Sequence, residues 1–161
     1  MMLVDREFLA SKGFALSTFV SQAKRVRFVE AGVGGFALPT NRLLGIMTTI
    51  RDEPAGHVGP DGTVSKPVTE RDWIRLGEGA GIARQILEHA GAEHRTILTT
   101  RAQGAHLGGT AGIGRVVDTD LRTPVENLYV CDASVLPAAA GEPPSLTIIA
   151  LAKRLARHLA E

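Results

Sequence analysis

Residues His106-Leu107-Gly108-Gly109-Thr110-Ala111-Gly112-Ile113-Gly114 run directly into Arg115-Val116-Val117-Asp118. The glycines in this stretch interrupt both helix and strand, and they let backbone approach a flat ligand closely. A single histidine stands at the mouth of the loop. Downstream, the apolar run Leu128 to Cys131 predicts a strand from Asn127 to Cys131, which ends in Asp132-Ala133-Ser134. Pro143-Pro144-Ser145 then opens a final helix from Leu146 onward. Ile149, Ala152, Leu155, Ala156 and Leu159 share one face of that helix. Lys153, Arg154 and Arg157 fall on other faces or near its C-terminal end, where positive charge suits the helix dipole.

Upstream of the loop, the clearest element is a helix beginning at Thr69, where Thr69 and Asp72 resemble a capping box. Trp73, Leu76, Ala80, Ala83, Leu87 and Ala90 recur at helical spacing, with Ile82 and Ile86 widening the stripe. Trp73 is expected to be a packing anchor on that stripe. Gly91 is a suitable C-terminal stop. Leu43 to Ile50 is rich in β-formers and reads as a strand. Gly59-Pro60-Asp61-Gly62 is a turn signal, with Val64 in the second short strand of a hairpin that Pro67 ends. Residues 97–100 are expected to form another short strand. Near the start, Phe14, Leu16, Phe19 and Val20 suggest a strand or short helix after Gly13. Gly32-Val33-Gly34-Gly35-Phe36 reads as a loop, because its spacing fits neither the dinucleotide nor the P-loop fingerprint.

The chain has 161 residues, of which 44% are hydrophobic, so it can build an ordinary globular core. A formal net charge of +1 calls for neither nucleic acid nor an anionic membrane. The densest basic cluster, Lys24-Arg25-Val26-Arg27, reads as a solvated face. Cys131 is the single cysteine and lies in an apolar run, so it is expected in the core, with a reducing cytoplasm as its natural setting. No apolar stretch reaches the roughly 18 residues of a membrane span. The first residues lack the charged-then-apolar plan of a signal peptide. His57, His89, His94 and His158 show no metal-ligand spacing, so no metal site is expected.

The order of the glycine loop, the Asp132-Ala133-Ser134 strand end and the Pro143-Pro144-Ser145 helix start resembles the C-terminal end of the glucose–methanol–choline (GMC) flavoprotein oxidoreductases. The resemblance covers residues 101–161, extends more loosely over 43–91, and touches 1–42 only faintly. It implies an α/β fold. Residues 1–100 would then be part of a substrate-binding domain, with antiparallel strands and the helix 69–90. Residues 101–161 would supply the last strand and helix of a Rossmann-like FAD domain. The resemblance also implies oxidation of CH–OH groups of an alcohol or sugar-like substrate, with FAD as cofactor.

Such chemistry needs a group to take the hydroxyl proton as hydride leaves carbon, and neutral imidazole is suited to that. It also needs donors for the charge that develops on the flavin edge, as at a helix N-terminus. By position, the resemblance makes His106 the active-site base. Gly109, Thr110 and Ala111 fall in the loop close to the ring. Asp132 and Ala133 match the pair that touches the ribityl and pyrophosphate part, at a strand's C-terminal end. Leu146 and Thr147 match the backbone that faces the pyrimidine edge. The family's second polar residue before the last helix falls at Pro143, which has no donor to offer. The substrate hydroxyl would be held by His106 alone or by a residue from another segment. No strand followed by G-x-G-x-x-G occurs in these residues, so a second polypeptide carrying the FAD pyrophosphate site is the expected partner. A non-catalytic remnant serving as an interaction module is the alternative. A Ser134–His106–Asp118 triad can be drawn, but no G-x-S-x-G elbow supports it.

Overall fold

The computed structural model describes residues 4–5, 7–19 and 44–160. The chain divides into two compact units, one from residues 1–50 and 70–103, the other from 51–69 and 104–161. Both helices and small antiparallel sheets are present, so the fold is mixed α/β. The expectations for Val20, Lys24–Arg27, Gly32–Phe36 and Leu43 lie outside the described residues. Among the described residues, no helix is long and apolar enough to cross a membrane.

In the first unit, β1 (Val4–Asp5), α1 (Glu7–Ser11), β2 (Phe14–Thr18) and β3 (Ile46–Ile50) precede the long helix α2 (Glu70–His89). The three strands form an antiparallel sheet in the order β1-β2-β3, with Phe14 opposite Ile50 and Leu16 opposite Thr48. Alternation along β2 aims Phe14 and Leu16, 0% and 4% exposed, at one face, where they cluster with Ala83 of α2. Phe8, Ile46, Ile50 and Ile82 pack around that cluster, and the Phe8 and Phe14 rings stack with centroids 5.2 Å apart. Burial of each large side chain contributes about 1.5–3 kcal/mol. The helix lies close because Gly79 faces the sheet: a Cβ there would come within 2.3 Å of Thr48 Cγ2.

The face of α2 that meets the sheet differs from the expected stripe. Asp72, Gly79 and Ala83 are its buried residues, whereas Trp73 is 57% exposed. Trp73 is therefore not a packing anchor. The helix turns a charged residue and a glycine inward, so hydrophobicity alone misplaces its inner face. Its C-terminus is as expected: Gly91, at φ +92°, donates to Glu88 O, and Ala92 donates to Leu87 O. That pairing is the Schellman pattern that a left-handed glycine permits. Residues 97–100 are not a strand but follow a short 3₁₀ turn, His94–Thr96, without regular structure.

In the second unit, β4 (His57–Val58) and β5 (Val64–Ser65) pair as a hairpin across the expected turn. Asp61 Oδ1 accepts from the Thr63 amide and hydroxyl, and Gly62 takes φ +81°. Val117, Leu121 and Val135 form the unit's core, with Ile113, Val130, Cys131 and two residues of the last helix, α3 (Ser145–His158), against it. Those two are Leu151 and Leu155. Cys131 is half-buried against this core.

Leu121 is fully buried at φ +65°, a conformation that costs a non-glycine residue about 1–2 kcal/mol. Asp118 holds it there, its Oδ1 accepting from the Asp120 and Arg122 amides at 2.8 and 3.0 Å. The expected strand from Asn127 to Cys131 is reduced to a single bridge between Arg122 and Tyr129. Asn127 sits at φ +58°, and the Thr123 amide donates to Leu128 O, so the segment begins inside a tight turn.

Candidate functional site

The glycine loop is strapped to the turn that follows Cys131. The amides of Gly109 and Ala111 both donate to Ser134 O at 3.0 Å, and the Ile113 amide donates to Val135 O at 2.9 Å. Two glycines make this approach possible. A Cβ at Gly108 would press on Ala133 O at 3.1 Å, and Gly109 adopts φ +89°. The loop closes on itself through Gly114 N to Val117 O and Val116 N to Gly112 O.

On the other side of this contact, Asp132 caps the 3₁₀ turn Ala133–Val135, its Oδ1 accepting from the Ser134 amide at 2.8 Å. Asp132 is thus a turn cap rather than a strand end, because the run before it is not a strand. Hydrogen bonds from Ser134, first from the side chain and then from the backbone, hold the Asp132 carboxyl below its ordinary value of 3.8. A depressed folded-state pKa means a contribution present above the unfolded value and lost as pH falls through the folded one. The turn is therefore expected to stay intact through neutral and mildly acidic pH. Following the Ser134 amide by NMR should give a midpoint below 3.8. A midpoint above it would contradict the assignment.

His106 is exposed and sits at φ +58°, in the left-handed region that histidine enters more readily than most residues. Among the described residues its imidazole has no hydrogen-bond partner. Thr110 is exposed, and Ala111 and Ala133 are half-buried. The glycine loop and the Asp132–Ser134 turn are thus brought together by direct hydrogen bonds. Leu146 and Thr147 belong to the same unit through α3, whose Leu151 and Leu155 pack on the shared core. Pro144 stands at the cap position of α3 and supplies no side-chain cap, and Ile148 is bonded to Pro144 O. The amides ahead of Ile148 precede the helical ladder. Leu146 is 82% and Ile149 61% exposed.

Ser134 is the residue that sequence reasoning undervalued. Its signal was present in the Asp-x-Ser pattern, which favours a local acid-to-amide turn. The Ser134–His106–Asp118 triad does not form: Ser134 bonds Asp132, Asp118 bonds two amides, and no hydrogen bond joins either to His106. Among the described residues, no three His, Cys, Asp or Glu side chains gather as metal ligands.

A glycine loop hydrogen-bonded to an acid-capped turn, with a core-packed helix following, defines the mixed α/β character of this segment. The family described as GMC oxidoreductase matches residues 52–152, more than half of the chain, and the chain belongs to that family, in its C-terminal part. An uncharacterized protein of Methanocaldococcus jannaschii is 40% identical over 118 residues. That match covers 73% of this chain and 30% of the relative, so the chain spans less than a third of that protein's length. No solved structure matches the chain.

Proposed function

We propose that these residues form the catalytic C-terminal portion of an FAD-dependent oxidoreductase acting on CH–OH groups of an alcohol or sugar-like substrate. The observation that carries the reading is the double acceptance by Ser134 O, which fixes the loop of His106 beside the turn of Asp132. When bound, FAD supplies the ring that accepts hydride from carbon. His106 takes the substrate hydroxyl proton, as its exposed and unengaged imidazole permits. Pro143 offers no second donor, so His106 also carries the orientation of that hydroxyl.

The donor set suits the group. Asp132 is held ionised and exposed, with one oxygen committed to Ser134, and can accept a ribityl hydroxyl. The uncapped amides of Leu146 and Thr147 can donate to an electron-rich ring edge. Gly109, Thr110, Ala111 and Ala133 keep the approach to the ring free of bulk. The pyrophosphate is held by a dinucleotide-binding half that these residues do not provide, most simply a second polypeptide. That half covers the exposed Leu146 and Ile149, since exposed apolar area of this kind marks an interface.

The test is spectroscopic. The 161-residue chain by itself is expected to bind FAD only weakly, because a dinucleotide normally rests on the first strand–helix turn of its domain. Tight, stoichiometric titration of the isolated chain would overturn the division of labour. Visible flavin absorbance in the purified assembly, with substrate-dependent bleaching by an alcohol, is the expected positive result. An assembly that never carries flavin would overturn the enzymatic reading.

A further inference from the structure

The outward face of α2 carries a pattern that the packing of the first unit does not use. Asp72, Gly79 and Ala83 are the buried residues of this helix. At about 100° per residue, Glu70, Trp73, Gly77, Gly81 and Arg84 fall within a sector of about 80° on the opposite side. Trp73, the single tryptophan of the chain, is 57% exposed on that stripe. A Cβ at Gly77 or Gly81 would meet nothing within 4 Å, so two bare notches lie one turn apart beside the indole. Glu70 is exposed, and among the described residues it has no ion-pair partner. Arg84 Nη1 donates to the His94 carbonyl at 3.5 Å, which leaves most of the guanidinium donors open.

The order of these residues is its own complement. Consider two α2 helices packed antiparallel about a two-fold axis at Gly77. Residues equally far from Gly77 on opposite sides then face each other across the pair. Trp73 faces Gly81, each four residues from Gly77, and Glu70 faces Arg84, each seven residues away. Each contact occurs twice, as an isologous interface requires. The indole covers the bare backbone of a glycine, which lets the helices approach closely. A carboxylate meets a guanidinium at each end. Centring the pair on residue 79 would set Glu70 against Glu88 and bring like charges together, so charge favours the register at Gly77.

We infer that this stripe docks a second copy of the chain, α2 against α2 in antiparallel order about Gly77. A contact along one helix is smaller than a standard interface, so the association is weak and depends on concentration. The inference goes beyond the flavin reading, because its residues all lie in the first unit and its assay needs no cofactor.

The experiment is sedimentation equilibrium of the full chain over a wide concentration range, with Trp73 fluorescence followed on the same samples. A monomer–dimer equilibrium is expected, with emission moving to the blue as dimer forms, because the indole leaves water. Trp73→Ala should weaken association about 30-fold or more, as for a buried aromatic anchor. Gly81→Gln fills the notch and should abolish the dimer. Its melting temperature in dilute solution should hold or rise, since the new side chain has open space in the monomer and glutamine is the better helix former. Glu70→Arg and Arg84→Glu should each weaken association about tenfold, and the double reversal should restore it. That rescue separates pairing between copies from an effect on α2 itself, because the double reversal does not restore the charge order within one helix. A monomer at every concentration, or a double reversal no better than the single ones, would overturn the assignment. So would association that survives Gly81→Gln and is lost in Ile149→Gln, which would place the contact on α3.

Discussion

In the flavin-dependent assembly proposed above, His106→Ala is expected to lower turnover by about 10²–10⁴-fold, the usual worth of a positioned general base. Flavin content should be largely retained, because the residues proposed to contact FAD lie mainly in the 109–111 loop, the Asp132–Ala133 turn and the start of α3. The left-handed backbone at His106 supplies a control. His106→Asn keeps a residue that tolerates this conformation but cannot accept the proton. Both variants should therefore lose turnover. If Asn restored the parent rate while Ala did not, the histidine would be acting through the loop's shape. If Ala turned over at the parent rate, the base would have to come from the other half or from solvent.

Gly79→Ala is expected to destabilise the first unit by about 1–3 kcal/mol, the ordinary cost of overpacking. The sign is opposite to the usual effect of replacing a helical glycine, which stabilises by up to about 1 kcal/mol. The difference lies in space: the new methyl would stand 2.3 Å from Thr48 Cγ2 and 3.3 Å from Phe14 Cδ2. A Cβ at Gly77 or Gly81 would meet nothing within 4 Å, so Ala at either should stabilise. Thermal melts followed by circular dichroism distinguish the three. Thr48→Ser removes the offending methyl group and should recover part of the loss in Gly79→Ala. Equal effects at positions 77, 79 and 81 would show that α2 does not press on β3 through Gly79.

The sequence made some elements legible and concealed others for physical reasons. The Gly59–Gly62 turn, the Gly91 stop and the two long helices carry local signals, and local signals suffice where backbone conformation alone decides. The inner face of α2 was concealed because it buries Asp72 and Gly79, neither of which contributes to an apolar stripe. The strand expected at Asn127–Cys131 does not form beyond one bridge, and the left-handed backbone of Asn127 that turns the chain there leaves no hydrophobic mark in the sequence. At the site, the glycine loop and the Asp132-Ala133-Ser134 segment were both visible as chemistry. That they meet was not visible, because the contact runs through a backbone carbonyl and leaves no mark in side-chain identity.

The Ser134 peptide has a thermodynamic consequence. Its carbonyl receives Gly109 and Ala111, and its amide and hydroxyl are held by Asp132, so four interactions share one residue. Perturbing any of them shifts the reference for the others. The free energies of Asp132 and loop variants are therefore non-additive, and a double-mutant cycle between the acid and the loop carries a large coupling term. No single substitution measures the worth of either segment alone, because the loop and the turn loosen as one cooperative element.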